Sequence, residues 1–129
     1  MNVKSIGAVI AGALFMIVAT VAADLACRAA GILPAMNQPI GETAALVATL
    51  YRVVFGVAGA WLTARLAPSR PMTHALILGA IGFILGTVAV VASWSGDLGP
   101  RWYAISHAAL AIPECWAGAR IFAMRAGPR

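Results

Sequence analysis

Long apolar runs alternate with short polar clusters along this chain. From Ser5 to Ala23 no charged residue occurs, and the same helix is expected to continue to Ala30. A helix needs roughly 20 mostly apolar residues to cross a bilayer, so residues 5–30 read as a first span. Gly31 to Gly41, with Pro34, Asn37, Gln38 and Pro39, is a cluster of chain breakers. The second run, 43–66, is interrupted in its interior only by Arg52. Pro68, Ser69, Arg70 and Pro71 predict a tight turn. Pro71 suits the first position of the next helix, where its missing N–H is not needed. The third run, 72–94, has no Lys, Arg, Asp or Glu, and Ser95, Gly96, Asp97, Gly99 and Pro100 end it in another turn. The fourth, 101–122, carries His107, Pro113 and Glu114.

The pattern predicts an all-α integral membrane protein: one domain over 1–129, folded as a four-transmembrane-helix bundle. Isolated strands are excluded, because a lone strand leaves its backbone groups unpaired in lipid. Composition points the same way. Only 10% of the residues are charged and 62% are hydrophobic, whereas a soluble domain usually carries about 25% charged residues. So few charges could not coat a surface facing water, and the lipid bilayer is the partner that suits the chain. No linker or low-complexity segment marks off a second domain.

The positions of the basic residues set an orientation. Lys4, Arg65, Arg70, Arg120, Arg125 and Arg129 fall at one side, and only Arg28 and Arg101 at the other. Lys and Arg concentrate on the cytoplasmic side of membrane proteins, so both termini are expected there, in a multi-pass protein of the cell (inner) membrane. Trp94, Trp102 and Tyr103 cluster at the expected outer boundary, with Trp61, Trp116 and Phe122 towards the inner one. In a soluble protein a net charge of +5 would suggest nucleic acid. Here the charges sit as topology determinants with no aromatic-rich basic groove, so no nucleic-acid partner is expected. Anionic inner-leaflet lipid suits Arg120, Arg125 and Arg129. A rival reading of the first run is a signal peptide, with Lys4, an apolar stretch and Val21-Ala22-Ala23 before Asp24. Its apolar run exceeds the usual 7–15 residues, which favours retention as a span.

Two short patterns recur in the same order. Asp24-Leu25 with Arg28 is echoed by Asp97-Leu98 with Arg101, and Trp61 with Ala64-Arg65 by Trp116 with Ala119-Arg120. They suggest a parallel two-hairpin repeat about an axis along the membrane normal. Membrane boundaries that favour Trp and Arg in an Ala-rich chain would give the same echoes by coincidence.

Arg52 is the least expected residue. It lies about 12 Å inside its span at 1.5 Å per residue, where an Arg costs roughly 2.5–3.5 kcal/mol on insertion scales. Asp24 above it and Glu114 below it are both within reach of an extended guanidinium, whose fork suits a carboxylate. Arg52 and Glu114 therefore form either part of an ion or solute pathway or an interhelical clamp, and Arg52 has the further option of snorkelling to water and lipid phosphate. Pro113 frees the carbonyl of Ala109, and Glu114 beside such a kink makes a candidate polar notch and proton carrier. His107 and Tyr51, with Ser106, belong to the same candidate intramembrane polar site as Arg52, Glu114 and Asp24. His74 lies at the opposite depth from His107, so the two share no haem or metal. Each reads as a histidine satisfied by neighbouring groups.

Small residues supply the expected helix-packing surfaces: Gly56 and Ala60 on the second span, Gly79, Gly82 and Gly86 on the third. Such spacing lets backbones approach closely, either within the bundle or between copies. Cys27 and Cys115 lie at different depths, and a disulfide needs Cα atoms within about 7 Å, so no bridge within the chain is expected. No CxxC, HExxH, P-loop or GxGxxG pattern occurs, and no cofactor, metal or catalytic residue is expected.

Length and span count are similar to those of small multidrug transporters and fluoride channels, but the residues are not. The first span has no carboxylate before Asp24, where a small multidrug transporter carries its essential Glu. Vitamin K epoxide reductases share the bundle but carry a CxxC. The leading expectation is a small non-catalytic membrane protein: a scaffold, an accessory subunit of a larger membrane complex, or a self-assembling homo-oligomer. The alternative is a small ion or solute transporter or channel using Arg52, Glu114 and the Pro113 kink.

Overall fold

The computed structural model describes residues 3–34, 39–94 and 100–126. Asn37, Gln38, Ser95, Gly96, Asp97, Leu98, Gly99 and Arg129, invoked above for the turns, the repeat and the basic side, lie outside them. The described residues form four α-helices: α1 (Val3–Ala29), α2 (Glu42–Leu66), α3 (Pro71–Ser93) and α4 (Arg101–Ala126). Helix α1 stops in a Schellman turn. Gly31, at φ +81, takes the left-handed conformation that glycine adopts without penalty, and Ile32 N–H and Gly31 N–H return to the carbonyls of Cys27 and Arg28. The Arg28 guanidinium then donates to the carbonyl of Pro34 and ties down the start of the connection. Pro71 opens α3 as expected, preceded by Arg70 in the left-handed region at φ 46.

Helices α1, α2 and α3 are each long and apolar enough to cross a membrane. Helix α4 is not by length and composition taken together, so the described residues hold three candidate spans where four were expected. It has the length, but Arg101, His107, Glu114 and Arg120 dilute its apolar run.

The packing has the pattern expected of a membrane bundle, with small residues inside and large ones outside. Ala45, Ala48, Ala60, Ala64 and Ala75 are completely buried, whereas Leu14, Ile17, Val18, Leu85, Val88 and Val91 are exposed. Lipid tails are as apolar as Leu, so no hydrophobic force drives large side chains inward, and close backbone approach is what holds the helices together. Helix α2 is the hub. It packs against all three others, as α3 also does, while α1 and α4 flank it without packing against each other. Successive helices run antiparallel, so α2 and α4 are parallel. One end of the bundle carries Asp24, Glu42 and Arg101, the other Lys4, Arg65, Arg70 and Arg120; they are called here the Asp24 end and the Arg70 end.

Two seams on opposite sides of α2 make the closest approaches. Between α1 and α2, Gly12 faces Gly59: a Cβ on Gly12 would overlap the Thr63 hydroxyl and stand 2.7 Å from the Gly59 carbonyl oxygen. Between α2 and α4, a Cβ on Gly118 would strike the Val57 carbonyl and stand 2.7 Å from Ala60 Cβ. The stripe Gly79, Gly82 and Gly86 of α3 receives Cys115, Ala111 and Ala108 of α4, so these glycines serve packing inside the bundle.

Candidate functional site

The polar residues of the apolar helices gather along α2. Asp24 sits five residues before the end of α1 and faces α2, where adjacent residues Tyr51 and Arg52 meet it. Arg52 Nη2 donates to Asp24 Oδ2 at 2.7 Å, and the Tyr51 hydroxyl donates to Asp24 Oδ1. Both carboxylate oxygens are thus engaged by one helix. On its other side the guanidinium lies 5.8 Å from the Tyr103 ring centroid of α4, within the range of a cation–π contact. One arginine therefore links three helices. The side chains of Arg52 and Asp24 are 29% and 19% exposed, so the pair is partly screened rather than sealed.

Of the two carboxylates within reach of Arg52 in the sequence, Asp24 takes the guanidinium and Glu114 does not. Asp24 approaches across the α1–α2 seam at the height of Arg52, whereas Glu114 meets α2 a turn further in, at Gly56. The Glu114 carboxyl occupies the space a Cβ on Gly56 would need. Among the described residues it has no hydrogen bond or ion pair. Gly56, expected as a packing residue, is thus the cradle of a carboxyl, while Ala60, one turn on, packs against Gly118 as a small residue should.

His107 lies two turns from Glu114 towards the Asp24 end of α4, and its ring meets that of Tyr103 edge-on at 4.5 Å. Its Nε2 is buried without a hydrogen-bond partner, and so is Arg52 Nε. Ser106 turns its hydroxyl back to the Tyr103 carbonyl at 2.7 Å. At the head of the α2–α4 seam Trp102 Nε1 donates to Glu42 Oε2 at 2.8 Å. At its foot Trp61 and Phe122 pack edge-on with ring centroids 6.4 Å apart.

His74 is not part of this region. It is buried near the start of α3, where Nδ1 lies 2.9 Å from the Arg70 carbonyl oxygen. Cys27 and Cys115 are both free thiols. A groove of about 230 Å³ between α3 and α4, lined by Phe83, Thr87, Val90, Ile105, Ala108 and Ala109, holds none of the candidate polar residues. Among the described residues no group of three or more His, Cys, Asp or Glu side chains is placed to hold a metal ion.

Sequence reasoning missed Trp102 with Glu42, and the buried Thr63 hydroxyl, which donates to the Ala8 carbonyl at 2.9 Å across the α1–α2 seam. It also missed Gly12, Gly59 and Gly118. The spacing of Ala8 and Gly12, matched by that of Gly59 and Thr63, was the available signal.

The chain matches no protein-family model, no curated protein and no solved structure. Its functional reading therefore rests on its own residues.

Proposed function

We propose that this chain is a small non-catalytic integral membrane protein, a scaffold or accessory subunit, whose four helices all cross the cell (inner) membrane with both termini in the cytoplasm. The observation that carries the reading is the Asp24–Arg52 pair. The one arginine deep in a span is spent on a carboxylate of a neighbouring helix and on the Tyr103 ring, so its insertion cost is offset within the bundle. Such a clamp fixes how α1, α2 and α4 are arranged, which is what a scaffold requires.

Support for the crossing of α4 comes from its alignment with α2. Trp102 meets Glu42 near the two starts, and Phe122 meets Trp61 near the two ends, so the parallel pair covers the same depth. The exposed stripe Ile105, Ala109, Ile112 and Trp116 is apolar, and the mid-helix charge, Glu114, turns towards α2 at Gly56. Orientation rests on Lys4, Arg65, Arg70, Arg120 and Arg125 at the Arg70 end, following the positive-inside bias.

The test is a double-mutant cycle on unfolding in detergent, using Asp24→Leu, Arg52→Met and the pair together. Each single change should cost about 2 kcal/mol, because it strands a partly buried charge, and the double should recover much of the loss. Single changes without effect on stability would overturn the clamp. Ion flux through proteoliposomes of the wild type would overturn the scaffold reading in favour of transport. The observation on the side of transport is Glu114, an uncompensated carboxyl cradled by Gly56 midway along α4.

A further inference from the structure

The α2–α4 seam has a direction. At the Asp24 end it is lined by polar groups: Trp102 and Glu42 at its head, then Tyr103, Arg52 and His107, then Glu114. Positions 107 and 114 are seven residues apart and so share one face of α4, about 10 Å apart along its axis. Beyond Glu114, towards the Arg70 end, the seam is shut. Gly118 is pressed against the backbone of Val57 and the side chain of Ala60, and Trp61 and Phe122 close the space below.

Three buried nitrogens have no partner within the described chain: His74 Nε2 on α3 at the Arg70 end, outside this seam, and His107 Nε2 and Arg52 Nε in its polar half. Buried polar groups in folded proteins are almost always hydrogen-bonded to protein or to ordered water. His107 Nε2 and Arg52 Nε therefore call for water along this half of the seam. The third group that calls for a ligand is Glu114. A charged carboxylate this deep, with no counter-charge, is expensive, and binding a cation or a proton removes the charge. Gly56 supplies the room: any side chain there would displace the carboxyl.

We propose that Glu114 is a proton-binding site served from the Asp24 end by a hydrated half-channel along the α2–α4 seam, and closed towards the Arg70 end. The proton passes from water at that end to the Glu114 carboxylate, giving the neutral acid, and no other bond changes. The titratable and charged groups bordering the path are Glu42 at its head, Tyr51 and Arg52 of α2, Asp24 of α1 reaching across α2, and Tyr103, His107 and Cys115 of α4; the histidine of α3, His74, lies at the far end. Arg52 is neutralised by Asp24, so it does not serve as the counter-ion of Glu114. The inference does not depend on the scaffold reading, since a site that loads and unloads from one side moves nothing across the membrane.

The experiment is labelling of the reconstituted wild-type protein with dicyclohexylcarbodiimide. This apolar reagent adds across a protonated carboxyl in lipid to give a stable acylurea, and peptide mass spectrometry locates it. The adduct should fall on Glu114 and not on Asp24 or Glu42. Its rate should drop about tenfold per pH unit once the site titrates. Glu114→Gln should abolish the adduct, and Gly56→Ala should reduce it by displacing the carboxyl. No adduct on Glu114 at any pH, or a pH-independent rate, would overturn the proposal. Protection by NaCl at constant pH would overturn the proton as ligand in favour of an alkali cation.

Direction is read separately, with Glu114→Cys in a background of Cys27→Ser and Cys115→Ala, using a membrane-impermeant thiosulfonate on vesicles of known sidedness. Modification from the Asp24 end alone is expected. Modification from the Arg70 end, or from neither, would overturn the half-channel while the stability cycle on Asp24 and Arg52 stood unaffected.

Discussion

The two seams along α2 are built from the same materials and finished differently. Between α1 and α2, the polar groups that meet across the seam partner one another: Asp24 with Arg52 and Tyr51, and the Thr63 hydroxyl with the Ala8 carbonyl. Its glycines, Gly12 and Gly59, bring backbone against backbone. Between α2 and α4, the glycine at the same height as the polar groups admits a carboxyl instead, and Glu114, His107 Nε2 and Arg52 Nε find no partner among the described residues. A glycine can therefore close a membrane interface or open it, depending on whether backbone or a polar side chain moves into the space. In the first seam the facing polar groups satisfy one another; in the second, Glu114 and His107 Nε2 are left without a partner among the described residues.

The same substitution on each seam breaks or sharpens this contrast. Gly12→Ala has the largest expected effect. Its Cβ would overlap the Thr63 hydroxyl and crowd the Gly59 carbonyl and Leu78, and the carbonyl belongs to a helix backbone that cannot swing away. Overpacking of this kind costs about 3 kcal/mol, read as a lower unfolding free energy in a detergent titration. A neutral outcome would mean that α1 can slide on α2, and the contrast between seams would fail.

Thr63→Val comes next. The change keeps the side chain's shape and removes a buried hydrogen bond to the Ala8 carbonyl. The loss should be about 1 kcal/mol, because that carbonyl keeps its place in the α1 backbone ladder. The same measurement applies, and a loss as large as that of Gly12→Ala would mean that the bond, rather than the glycine contact, holds the seam.

Much of this architecture is legible in the residues. The apolar runs give α1, α2 and α3 to within a residue or two, since lipid imposes one length on every crossing and breakers such as Gly31 and Pro71 end or start helices by their own backbone chemistry. The fourth helix is legible as a helix but not by apolarity as a span, because its inward-facing His107 and Glu114 lower an average taken over all its faces. Asp24 and Glu114 both lie within reach of Arg52 in sequence terms. Choosing between them depends on how far α1 and α4 are displaced along α2, and no spacing within one helix carries that. Gly56 shows the same limit. Its spacing from Ala60 reads as a packing motif, and only the neighbouring helix reveals that a carboxyl fills the notch.

Gly56→Ala is the counterpart on the second seam and has the smallest expected effect on stability. The three atoms nearest the added Cβ all belong to the Glu114 side chain, the closest to its carboxyl, and that end swings on flexible bonds. Replacing Gly by Ala inside a helix also gains about 0.8–1 kcal/mol of intrinsic helix stability. The two effects oppose each other, so the unfolding free energy should stay within about 0.5 kcal/mol of the wild type. The carboxyl, however, would lose its seat, and its reaction with carbodiimide should change while the fold does not. A destabilisation approaching that of Gly12→Ala would show that the Glu114 notch is as tightly closed as the α1–α2 seam. Glu114 would then belong to the packing, and the distinction between a closed seam and an open one would be lost.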